Sequence, residues 1–129
     1  NDSLILRATY GRHAFLLTGD IERSAEREAL ESGGPLRSQV LKVPHHGSAR
    51  SNLPEFLDTV APAVALISAA GNDWMRLPNE KVVRSLRDRH ALVLRTDRDG
   101  MVFVRSNGRH LEPGSMRWMS PGVALIDPF

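Results

Sequence analysis

The chain has 129 residues, 41% of them apolar, with 17 Lys and Arg against 15 Asp and Glu for a net charge of +2, and it contains no cysteine. This is the size of one ordinary domain or a large piece of one; the basic excess is too small to imply nucleic-acid binding by field alone. The lack of thiols excludes a disulfide framework and leaves only His and carboxylate to hold a transition metal, and no apolar run approaches the roughly 18–20 residues that cross a bilayer.

In chain order, Ser3-Leu4-Ile5-Leu6-Arg7-Ala8-Thr9 is a short β-type run, and Tyr10-Gly11-Arg12 is a turn signal leading to a second, His13 to Thr18, so the two read as a hairpin. Gly19-Asp20 ends the second strand. Ile21 to Glu31 places Ile21, Ala25, Ala29 and Leu30 at helical spacing, and Ser32-Gly33-Gly34-Pro35 stops the helix. Ser38 to Val43 is a third strand running directly into Pro44-His45-His46-Gly47. Asn52 and Glu55 have the spacing of a capping box for a helix through about Val60. Ala63 to Ser68 has no polar residue until its end and reads as a strand covered on both faces. A loop then precedes a helix capped by Asn79, with Val82, Val83 and Leu86 facing inward. Ala91–Leu94 and Met101–Arg105 read as two strands joined by a hairpin turn at Asp97-Arg98-Asp99-Gly100. The order is β-β-α-β-α-β-α-β-β, an α/β arrangement in which a mixed sheet is covered by helices on at least one face. Beyond Gly108 the pattern dissolves, and residues 109–129 read as an irregular C-terminal tail.

The most informative chemistry is the doubled histidine at a strand end, followed by a glycine and Ser48. Imidazoles placed there can point into a cleft where a metal or a phosphate sits; the structural alternative is that one ring packs while the other bonds a backbone carbonyl. Asp20, at the end of an apolar strand, either caps the following helix or coordinates a divalent cation. Ser48 and Ser51 flank Arg50 near a helix start, where hydroxyls and amides can hold a phosphate, or where a serine simply caps. A Ser48-His46-Asp20 triad lacks any nucleophile elbow around the serine. Asp97 and Asp99 are expected to form a turn, and His13, His90 and His110 to lie on the surface. The basic residues are arginine except at Lys42 and Lys81, which suits phosphate contacts but is more simply a compositional bias.

Taken together, Asn1 to Arg7, Phe15-Leu16-Leu17-Thr18-Gly19-Asp20, Leu41-Lys42-Val43-Pro44-His45-His46-Gly47-Ser48 and Arg95-Thr96-Asp97-Arg98-Asp99-Gly100 resemble, in sequence and spacing, the C-terminal metallo-β-lactamase-like domain of ComEC-type competence proteins. The resemblance covers roughly residues 1–108 and implies the C-terminal half of that domain, a partial metallo-β-lactamase fold forming half of an αββα sandwich. It assigns Asp20 as a carboxylate bridging two cations and His46 as a terminal metal ligand. His45 joins the catalytic set, behind the ligands or on the substrate side, and Ser48 and Ser51 remain, from their own reading above, the candidate substrate-binding hydroxyls. The implied cofactor is divalent zinc or manganese, which lowers the pKa of a bound water and steadies the oxygens of a phosphodiester. The implied role is hydrolysis of the DNA strand that does not enter during uptake. The implied partners are single-stranded DNA and the membrane channel portion of a parent protein, with this soluble domain on its extracytoplasmic side.

Two departures matter. The family's His-x-His-x-Asp-His signature has no counterpart in this chain, so the chain alone is expected to be inactive. Where relatives commonly show Gly-His-Pro, this chain has Arg76-Leu77-Pro78, and leucine binds neither metal nor phosphate. A degenerate DNA- or partner-binding domain is therefore one alternative, and another hydrolase of the same fold, a lactonase or thioesterase, is a second. Half a sandwich also exposes an apolar sheet face, from which self-association is expected.

Overall fold

The computed structural model of the chain describes residues 3–70 and 76–116. Readings that fall on Asn1 and Asp2, on residues 71–75 and on 117–129 of the tail lie outside these. Strands β1 (Leu6–Tyr10) and β2 (His13–Leu17) form the expected hairpin, with Tyr10 opposite His13. Its turn uses Gly11 at φ 57°, where a Cβ would run into the backbone of Gly108. From β2 onward, β3 (Val40–Lys42), β4 (Val64–Ile67) and β5 (Leu92–Arg95) are all parallel, giving a mixed five-stranded sheet in the order β1-β2-β3-β4-β5. Each parallel step needs a crossover, and the helices α1 (Arg23–Glu31), α2 (Pro54–Val60) and α3 (Glu80–Asp88) supply them. The chain is thus an α/β fold, a mixed sheet with flanking helices.

One sheet face carries the main core. Leu16, Leu41, Val43, Ala65 and Ile67 pack under Ile21, Phe56, Leu57, Val60, Val83 and Leu86 from the crossover segments. On the other face Val40, Val64 and Leu94, with Phe15 and Leu66, meet Val102, Val104 and Leu111. These last come from a separate antiparallel pair, β6 (Val102–Ser106) and β7 (Leu111–Ser115). That pair covers only part of the face. By strand register Leu6, Tyr10 and Leu17 share the side of Phe15, and Leu92 that of Val64; all four are exposed.

Four expectations are corrected. Asp97–Gly100 is not a hairpin turn between adjacent strands. Arg95 grips the Asp97 carboxylate at 3.0 and 2.7 Å and gives its own N–H to Asp99, which closes a four-residue helical turn, Thr96–Asp99; Gly100 at φ 70° then sends the chain into the second sheet. Asn52 does not cap α2. It sits at φ 69°, its side chain donates to the carbonyls of Pro44 and Ser48, and Leu53 becomes the boundary residue. Asn79, by contrast, caps α3 as expected, accepting from the Lys81 N–H at 2.9 Å. His13 is buried rather than on the surface, its Nδ1 2.7 Å from the Ser106 hydroxyl, because β6 crosses over it. Finally, β7 lies within the segment read as irregular; it contains Pro113 and Gly114, which hid it from strand periodicity.

Candidate functional site

Parallel strands bring their C-terminal ends to one edge, and that edge is where crossover loops can converge on a ligand. Three such loops meet here. The β2–α1 loop carries Asp20 and Glu22, the β3–α2 loop carries His45, His46 and Gly47, and the β4–α3 loop begins at Ser68. Thr18 and Lys42 tie the first two together, the Thr18 hydroxyl donating to the Lys42 carbonyl at 2.7 Å, and the His45 N–H donates to the Gly19 carbonyl at 3.1 Å.

His45 and His46 both adopt left-handed backbone conformations, at φ 47° and 55°, and Gly47 follows at φ 79°. Each such conformation costs a non-glycine residue about 1–2 kcal/mol, so two in succession persist only where the surroundings hold them. The surroundings do. The Ser68 carbonyl accepts from His46 Nδ1 at 2.7 Å, and the Gly47 carbonyl accepts from the Asn79 N–H at 2.9 Å. A Cβ on Gly47 would lie 2.6 Å from that of Pro78, so glycine alone fits.

The outcome is a compact set of ionisable groups. His46 Nε2 lies 3.5 Å from Asp20 Oδ1, and His45 Nδ1 lies 3.6 Å from Glu22 Oε1, which also faces Arg50 at 3.8 Å. The two imidazoles meet edge to face with centroids 6.5 Å apart. A carbonyl can only accept, so His46 Nδ1 carries the hydrogen in its bond to Ser68, and that bond turns Nε2 toward Asp20. Close by, burial pushes the Lys42 ammonium below its ordinary pKa, with the Asp20 charge pulling the other way.

Of the residues singled out in the sequence, Asp20, His45 and His46 come together. Ser48 and Ser51 follow directly in the same loop but face inward: Ser51 donates to the Ile21 carbonyl at 2.6 Å, and Ser48 Oγ accepts from the Arg50 N–H at 3.1 Å. Glu22 and the Ser68 carbonyl are participants that sequence reasoning missed. Glu22 is two positions from Asp20, a spacing that signals proximity, whereas nothing in the sequence points to a backbone carbonyl 22 residues from the histidine it orients.

Catalytic zinc takes three protein ligands plus a water, and among the described residues no group of three or more His, Asp or Glu side chains is arranged to hold an ion. Asp20 and His46 bring one carboxylate and one imidazole together, two groups where such a centre takes three.

The chain is 38% identical over 109 residues to ComE operon protein 3 of Bacillus subtilis, a match spanning 84% of this chain and 14% of that protein. The chain is homologous to a portion of the competence proteins. Competence protein ComA of Neisseria gonorrhoeae is 37% identical over 99 residues, covering 76% of this chain and 14% of its own length. Recombination protein 2 of Haemophilus influenzae is 34% identical over 126 residues, 96% of this chain and 16% of that protein. No family model matches. This chain therefore corresponds to about one-seventh of these competence proteins. Among the described residues no helix is long and apolar enough to cross a membrane.

Proposed function

We propose that this chain supplies one side of a metal-dependent phosphodiesterase site in a longer competence-type protein, within a metallo-β-lactamase-like domain that acts on single-stranded DNA outside the membrane channel. Asp20 and His46 are its donors on this side, His45 lies beside them, and the remaining donors come from parts of the longer protein that this chain does not span. One observation carries the reading. The Ser68 carbonyl accepts from His46 Nδ1, which turns Nε2 toward the Asp20 carboxylate at 3.5 Å, the backbone-anchored orientation that a metal-ligating histidine uses. Strained left-handed residues held by three loops at the same place support it.

In a protein of the relatives' length, Asp20→Ala and His46→Ala should each lower metal-dependent hydrolysis of a single-stranded oligonucleotide by more than about 100-fold, since losing even the groups that orient a ligand costs 10–100-fold. Activity unchanged in both variants would sink the proposal. A second reading, a degenerate domain that binds DNA without cleaving it, is favoured by Arg76-Leu77-Pro78: Pro78 backs onto Gly47, and Leu77 beside it offers no donor. Oligonucleotide binding without any metal-dependent cleavage in the unaltered longer protein would select it.

The exposed Leu6, Tyr10 and Leu17 at one edge of the sheet and Leu92 at the other belong, on the same proposal, to the surface that the other half of the sandwich covers. Alone, the chain is expected to self-associate through it. Sedimentation over a range of concentrations checks this, and a species that stays monomeric throughout would contradict it.

A further inference from the structure

The loops that carry Asp20 and His46 are fastened to each other a few residues further on. The Ser51 hydroxyl donates to the Ile21 carbonyl, the Arg23 N–H to the Arg50 carbonyl at 3.2 Å, and the Arg23 guanidinium to the Ala49 carbonyl at 2.9 Å. At the centre of this seam lies Glu26, on the first turn of α1 and fully buried. Its Oε1 accepts from the Asn52 N–H at 2.6 Å and its Oε2 from the Leu53 N–H at 2.9 Å.

Such placement is costly. A carboxylate is almost never fully buried without a partner, and here the partners are backbone amides rather than a buried cation. The nearby cations, Arg23 and Arg27, are exposed and act only through space. Burial raises the Glu26 pKa above its ordinary 4.5, while the two amide bonds pull it down. Apolar residues would fill the same volume between α1 and α2 without that cost. What they would not do is hold the two amides that open α2, or fix the register of residues 48–53 against residues 21–26.

We propose that Glu26 is a positioning residue for the Asp20–His46 pair, its two amide bonds setting how the loop after His46 seats against the loop after Asp20. This rests on the reading of that pair as a donor pair. Glu26 is six positions from Asp20 and Asn52 six from His46, so its two amide bonds close the far end of the seam that begins just after both donors. Released from it, the His45–His46 turn loses one of the supports that hold it in the left-handed region, and His46 can leave the Ser68 carbonyl.

The test is ring-nitrogen NMR of the histidines in the uniformly 15N-labelled chain, with no metal added. In the unaltered chain His46 should read as protonated at Nδ1. Glu26→Gln keeps size and shape but offers one acceptor instead of two, turning a donor toward the second amide. The expected result is movement of the His46 signals toward the Nε2-protonated form that free neutral imidazole prefers, with His13 unchanged on its Ser106 hydroxyl across the sheet. Glu26→Leu, if it folds, should give the larger shift; if it does not fold, Glu26→Gln decides. His46 signals that superimpose on those of the unaltered chain would overturn the proposal. So would equal displacement of His13 and His46, which marks general loosening rather than positioning. Failure of the donor-pair reading shows separately, as a His46 Nε2 that added zinc does not perturb in the unaltered chain.

Discussion

Arg95→Ala is expected to destabilise the fold by about 3–5 kcal/mol, the usual cost of leaving one member of a buried ion pair uncompensated. Arg95 and Asp97 side chains are 6% and 8% exposed, and the guanidinium engages the carboxylate through two nitrogens. Its third contact, Glu80, is 64% exposed and adds little in water. The melting temperature should fall on the order of 10 °C. Because isosteric apolar pairs replace buried ion pairs at little cost, Arg95→Met combined with Asp97→Leu should recover most of the loss. Acid titration gives an independent readout. Arg95 holds the Asp97 carboxyl below its ordinary 3.8, so this pairing contributes fully above 3.8 and is lost as pH falls through the depressed value. Arg95→Ala should remove that part of the acid limb. Glu26 acts with the opposite sign, since its raised pKa weakens stability as pH climbs from 4.5 toward that value. A melting temperature within about 2 °C of the unaltered chain would show that the pair is idle.

Gly47→Ala should cost on the order of 3 kcal/mol, from two additive sources. The new Cβ would lie 2.6 Å from Pro78 Cβ, and overpacking of that kind costs about 1–3 kcal/mol; φ 79° adds the left-handed penalty of about 1–2 kcal/mol. Gly33→Ala separates the two. Gly33 sits at φ 67° with nothing within 4 Å of its added Cβ, so it should show the backbone cost alone. Equal losses at both positions, by denaturant unfolding, would mean that Pro78 yields and that the turn is not locked from that side.

Much of the fold was legible because burial imposes period. The apolar run Val64–Ile67 marked a strand covered on both faces, Asn79 marked the start of α3, and the strand–helix alternation marked a mixed sheet with flanking helices. Asp97–Gly100 misled because a hairpin turn and a one-turn helix share Asp and Gly, and only Arg95 decides between them. At the site, Asp20, His45 and His46 stood out as ligand chemistry at strand ends. Glu26 did not, since a glutamate among arginines reads as a solvated face. The clue was its spacing: positions 26, 29 and 30 lie on one side of α1, so Glu26 shares a face with Ala29 and Leu30. The partners that hold the histidine turn, the Ser68 carbonyl and Pro78, are distant in sequence and carry no local signal.

Zinc titration of the chain, followed at the His46 ring nitrogens and closed by metal analysis after dialysis, tests the central claim most directly. If Asp20 and His46 are a donor pair awaiting further ligands, zinc should shift His46 Nε2 saturably but weakly. The shift should vanish in Asp20→Ala, and far less than one equivalent should survive dialysis. A full equivalent retained would show a complete site within this chain, and a His46 Nε2 indifferent to zinc would show no site at all; either result contradicts the account.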